Sequence, residues 1–153
     1  MFRTPPFAVR FPSPMPAALA AVLACAGVAH ARDEISGPVA ATVVRVIDGD
    51  TFVAEAHVWP GETVRVSVRI RGIDAPELHS RCGEERVAAA VARDALAALL
   101  EGQAVTISNV GGGKYYGRVL ADVETSAGGV APAMLSRDLV RRYSGGRRQP
   151  YCG

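Results

Sequence analysis

The sequence predicts a small five-stranded β-barrel with two or three packed α-helices, and three observations predict it. Short valine-rich or alternating stretches recur as strand patterns. One long amphipathic stretch, between the third and fourth of them, reads as a helix. Once an N-terminal leader is set aside, 122 of the 153 residues remain, enough for one domain and too few for two.

The leader is residues 1–31, which read as a secretory signal. Arg3 and Arg10 make its start basic, residues 15–28 are apolar and uncharged, and Ala29-His30-Ala31 supplies small residues at the two positions signal peptidase reads. The apolar run is shorter than the roughly 20 residues of a spanning helix. Export is therefore expected, with cleavage near Ala31, a periplasmic or secreted location and no stable membrane association. A lipid anchor on Cys25, after Val22-Leu23-Ala24, is a weaker rival.

The valine-rich residues 40–47 read as the first strand. Asp48-Gly49-Asp50 breaks it with turn chemistry, and residues 52–58 return as its hairpin partner. After the turn Trp59-Pro60-Gly61-Glu62, residues 64–71 alternate strictly. Val64, Val66, Val68 and Ile70 point one way; Arg65, Ser67, Arg69 and Arg71 point the other. The three arginines are either a solvated face or anion contacts. Residues 84–101 form the helix, with Val87, Val91, Ala95 and Leu99 in one column and Ala88, Ala92, Leu96 and Leu100 in the next. Glu84 and Glu85 suit the positive end of its dipole and Gly102 stops it. Residues 104–108 are the fourth strand, Gly111-Gly112-Gly113 a flexible loop, 116–124 the fifth strand and 130–137 a short helix. This order suits a closed barrel of the OB type, and pattern alone leaves a sandwich open. The tail is basic, with Arg141, Arg142, Arg147 and Arg148, and Gly145-Gly146 turns it before Cys152.

Charge and cysteines narrow the function classes. The chain has 17 basic and 15 acidic residues, and the leader removes Arg3 and Arg10, so the remainder is formally neutral. A passive, charge-driven nucleic-acid coat would be strongly basic, so any phosphate binding must come from placed arginines. Cys82 and Cys152 are the cysteines left after cleavage, and a pair in an exported chain reads as a disulfide before a metal site or a nucleophile. Only His57 and His79 remain as imidazole bases, and neither cysteine sits in a thiol-enzyme signature.

Three acidic-basic pieces stand out: Asp48-Gly49-Asp50-Thr51 in the first hairpin, residues 69–77 leaving the third strand, and residues 114–118 opening the fifth. Each alone is weak, since a lone DGDT is most often only a turn. Together, as VIDGDTF (46–52), VRIRGIDAPE (68–77), YGRVLADV (116–123) and the closing DLVRRY (138–143), they resemble the thermonuclease, or staphylococcal nuclease-like, family across nearly all of the chain after the leader.

That resemblance implies a five-stranded OB barrel and calcium-dependent hydrolysis of DNA and RNA, single strands favoured, to products ending in a 3′-phosphate, by a monomer. It implies that Asp50, Asp74 and the main-chain carbonyl of Ala75 hold Ca2+, with Asp48 reaching the ion through water. It assigns Glu77 to the attacking water, Arg69 and Arg118 to the scissile phosphate, and Tyr116 to a neighbouring phosphate or base. The departures are Ala75 where many relatives have Thr, Lys114 where many have Asp, and Asp138 where a helix-ending Gly is common; Asp tolerates a left-handed backbone. Only fifteen residues follow Asp138, so no long C-terminal helix is expected, and a Cys82–Cys152 bridge would pin the tail across the helix start instead.

The chemistry calls for these groups independently. A phosphodiester repels hydroxide, and charge gathers on non-leaving oxygens in its transition state, where fixed cations act most strongly. Arginine grips phosphate with two parallel hydrogen bonds. Calcium accepts six to eight oxygens, so two carboxylates and one carbonyl leave room for water and substrate. The main rival is a catalytically silent OB module that binds single strands by stacking and backbone contacts. It has no use for two carboxylates facing its phosphate site, because they repel the ligand unless a cation lies between them. A general calcium-binding export protein leaves Arg69 and Arg118 unexplained.

Overall fold

In the computed structural model the described residues are 34–113 and 117–152; the leader and Tyr116 fall outside them. In chain order they form β1 (Glu34–Ile35), β2 (Val39–Val46), β3 (Thr51–Trp59), β4 (Glu62–Ile70), β5 (Ile73–Asp74), α1 (Gly83–Leu100), β6 (Val105–Gly112), β7 (Arg118–Thr125), β8 (Gly128–Gly129), α2 (Val130–Leu135) and β9 (Arg141–Arg142). Strands β2, β3 and β4 form an antiparallel meander, β4 pairs in parallel with β7, and β6 closes the circle by pairing with both β7 and β2. The result is a closed, mixed, five-stranded OB-like barrel with two helices. The parallel pair follows from the long connection through α1 and β6, since a tight turn can only return a strand antiparallel.

Alternation builds the core. Phe52, Val68, Ile70, Ile107 and Val123 point into the barrel, and Leu96, Leu100 and Met134 of the helices cover it. Phe52, Ile70, Leu96, Ile107 and Met134 are among the largest fully buried side chains, each contributing about 1.5–3 kcal/mol through burial. On β4 the expected inward face holds at Val68 and Ile70, whereas Val64, near the hairpin tip, is exposed.

Two expectations need correction, and two short strands come in addition. The helix buries Ala89, Ala92, Leu96 and Leu100, while Val87 and Val91 are exposed, so the stripe is rotated away from the valine column. Ala92 can be nothing larger, because the Gly49 backbone lies directly against it. Gly111 and Gly112 are not a flexible loop but the end of β6, paired with Leu120 and Val119. Ahead of the first expected strand lies β1, which pairs with β6, and the tail contributes β9, which pairs with β5. Short pairings of this kind arise from tertiary neighbours and carry no local periodicity.

The Cys82–Cys152 disulfide is formed, joining the residue just before α1 to the end of the tail. Asp138 adopts the left-handed conformation with φ 55° after α2. Among the described residues, no helix is long and apolar enough to cross a membrane.

Candidate functional site

The acidic half of the site begins in the turn between β2 and β3. The Asp48 carboxylate accepts a hydrogen bond from the Asp50 amide at 3.0 Å, and Ile47 and Asp48 donate their amides to the Thr51 carbonyl. This folds the turn so that Asp50 points inward, where it is buried. One Asp50 oxygen accepts from the Ala75 amide at 2.7 Å and the other from the Thr51 hydroxyl at 2.8 Å. Asp50 thereby ties the turn to the chain leaving β5. Burial, and then the neighbouring Asp50 carboxylate, push the Asp48 carboxyl up to about 6.

Gly49 is required here by space. A Cβ on it would lie 2.6 Å from the Ala92 Cβ and 2.8 Å from the Ala75 Cβ. Gly49→Ala is expected to destabilise the protein by about 1–3 kcal/mol through overpacking against α1, measured by thermal or urea denaturation; wild-type stability would show that the helix yields without cost.

The basic half comes from β4 and β7. Arg69 lies opposite Thr51 in the β3–β4 register, so the DGDT turn and this arginine meet at one end of the barrel. Its guanidinium pairs with Asp50 and, at 3.1 Å, with Asp74, and donates to the Ile73 carbonyl at 3.2 Å. Burial opposes its charge, but Asp50, with Asp74 and Asp48, more than offsets this and raises its pKa above the usual value. Arg65 and Arg71, on the same sequence alternation, are structural. Arg65 pairs with Glu55, and Arg71 ties Glu34, Asp122 and the Asn109 carbonyl together. Arg118 opens β7 beside Ser67 of β4. Gly113 permits this approach: a Cβ there would meet the Arg118 carbonyl oxygen at 2.2 Å.

These residues line one cavity of about 560 Å³, whose walls include Asp48, Asp50, Arg69, Asp74, Ala75, Glu77 and Arg118. Every sequence-expected site residue among those described is thus brought to one place. The sequence reading missed the tail: Tyr143, Gly146 and Arg148 also line the cavity. Arg148 donates through Nε to Asp74 at 2.7 Å and makes short contacts to the Glu77 carboxylate and the Ala75 carbonyl. Tyr151 adds a 2.7 Å hydrogen bond to the Asp74 carbonyl. The signal available in sequence was only a basic run between a Gly-Gly turn and a bridged cysteine.

Glu85 suits the helix start by its charge, and its role is more specific. It accepts from the Ser80 hydroxyl at 2.5 Å and from the Glu77 amide at 3.1 Å, which pins the loop that carries Glu77. The Ser80 bond, then the Glu77 amide, lowers its pKa below the ordinary 4.5. That contribution is complete above the ordinary value and is lost as pH falls through the lower, folded one. Glu85→Ala is expected to slow any Glu77-dependent reaction roughly tenfold by loosening this loop without unfolding the protein. An unchanged rate at neutral pH would show that other contacts hold Glu77.

The donor set suits a hard divalent cation. Asp50, Asp74 and the Ala75 carbonyl offer only oxygen, and a positive group, the Arg148 guanidinium, already bonds Asp74 and Ala75 together. Asp48, Asp50, Asp74 and Glu77, all among the described residues, do not bring three ligand atoms within 4.8 Å of one another. Cys82, Glu84 and Cys152 are also grouped, but the sulfurs are spent on each other. No family model and no curated protein matches the chain.

Proposed function

We propose that the protein is a calcium-dependent nuclease of the thermonuclease kind, hydrolysing phosphodiester bonds of DNA and RNA. The observation that carries this reading is the convergence of Arg69, Arg118, Glu77, Asp50 and Asp74 on a single cavity from three separate stretches of chain. The quoted motifs that resemble the thermonuclease family supply these same residues.

Asp50, Asp74 and the Ala75 carbonyl would hold the calcium ion, with Asp48 in its outer shell. Calcium, when bound, supplies concentrated positive charge beside the phosphate. Arg69 and Arg118 grip the non-bridging oxygens and stabilise the charge that grows there. The Glu77 side chain is 61 % exposed, so solvent reaches it. Its carboxylate accepts a proton from water as the water oxygen bonds to phosphorus; the bond from phosphorus to the 5′-oxygen breaks, and that oxygen takes a proton from solvent, leaving a 3′-phosphate end and a 5′-hydroxyl. Four carboxylates against three guanidiniums in the cavity wall make it formally negative, so nucleic acid needs an added cation to enter.

The test is digestion of single-stranded DNA and RNA by the purified protein. Products in millimolar calcium and none with a chelator are expected. A gel shift without products would favour the silent binding module, and digestion indifferent to the chelator would sink the calcium assignment.

A further inference from the structure

The tail does more than cover the cavity. Arg148 spans three oxygens of one short loop: Asp74 Oδ2 at 2.7 Å through Nε, Glu77 Oε1 through one terminal nitrogen, and the Ala75 carbonyl through the other. Two of these groups, Asp74 and Ala75, are the ones the proposed function gives to calcium. A guanidinium and a divalent cation compete for them, because the lone pairs that Arg148 takes are closed to the ion and the two cations repel each other.

The segment that carries Arg148 is held at both ends. On one side β9 pairs with β5, and the Tyr143 amide donates to the Gly72 carbonyl. On the other, Cys152 is bonded to Cys82, and Tyr151 is held by Asp74. Arg141 braces the strap by bonding the Pro150 carbonyl at 2.9 Å and stacking 4.0 Å from the Tyr151 ring. A short strap clamped at each end keeps its guanidinium at high effective concentration beside the carboxylates. Burial opposes the charge on Arg148, but Asp74 and Glu77 more than offset it, so it remains cationic.

We propose that Arg148 is a built-in competing cation: it occupies the Asp74, Ala75 and Glu77 oxygens in place of the divalent ion and must leave them for the ion to bind. This rests on the calcium site of the proposed function. By linkage, calcium weakens the tail's hold on the site as much as the tail weakens calcium's. Glu77 is also released from its ion pair when Arg148 departs, so cation loading frees the base.

The experiment is calorimetric titration of the full chain with calcium chloride, wild type against Arg148→Gln, with folding checked by circular dichroism. Removing a competitor with charge-assisted bonds should tighten calcium binding about tenfold or more. Equal or weaker binding by the variant overturns the competition while leaving the calcium site standing. No calcium binding by either protein removes the site itself, and both proposals lose their metal. Should the variant not fold, limited trypsin digestion of the wild type decides. Calcium is expected to speed cleavage after Arg148 severalfold, corrected for trypsin's activity on a small substrate at the same calcium level, and unchanged or slower cleavage overturns the proposal.

Discussion

Glu77→Gln, Arg69→Ala and Arg118→Ala are each expected to slow calcium-dependent digestion of single-stranded DNA by about a hundredfold or more, with the fold retained. Glu77→Gln removes the proton acceptor while preserving shape, and Glu77 is an exposed side chain paired with Arg148, so little packing is lost. Arg69→Ala removes a phosphate donor and also the ion pairs that neutralise Asp50 and Asp74. Its loss of activity should therefore come with some loss of stability, which Glu77→Gln should not show. Initial rates on a labelled oligonucleotide, beside melting curves, check all three. Wild-type rates in any one of them would remove that residue from the mechanism.

Replacing Cys82 and Cys152 by Ser is expected to cost about 4 kcal/mol of stability, the loop-closure entropy of a bridge between residues 70 positions apart. Chemical denaturation of the oxidised wild type against the double variant measures it, and mass spectrometry of unreduced peptides verifies the bridge. A second effect follows from its position. The disulfide anchors the strap that carries Arg148 and Tyr151, so its loss should expose the tail to proteolysis well below the global transition. Equal stability and equal proteolysis in the two proteins would show that the β5–β9 pairing holds the tail unaided.

Much of the barrel was legible because its signals are local. The alternation from Val64 to Ile70 needs only period two, and the Asp-Gly-Asp break needs only turn chemistry. Most strand boundaries lie within a residue or two of expectation, and the helix at Gly83–Leu100 is displaced by one. Its buried face was harder to read. Valine and alanine columns both satisfy a period of 3.6; the structure buries Ala92, Leu96 and Leu100 and leaves Val87 and Val91 exposed, with Ala92 packed against the Gly49 turn. Likewise, three arginines on one strand look alike in sequence; Arg65 and Arg71 find carboxylates on neighbouring strands, and Arg69 alone of them lines the cavity.

By itself the sequence determined the five barrel strands and the two helices, the cysteine pairing and the short list of acidic and basic residues, because each is a matter of residue type and spacing along the chain. Only the tertiary structure decided that Arg148 and Glu85 act on the loop from Asp74 to Glu77, that Gly49 is needed for room, and that β5 and β9 meet. These are contacts between groups as much as 74 positions apart, and no local periodicity encodes them; they exist because barrel closure and the disulfide bring the tail to the mouth of the site.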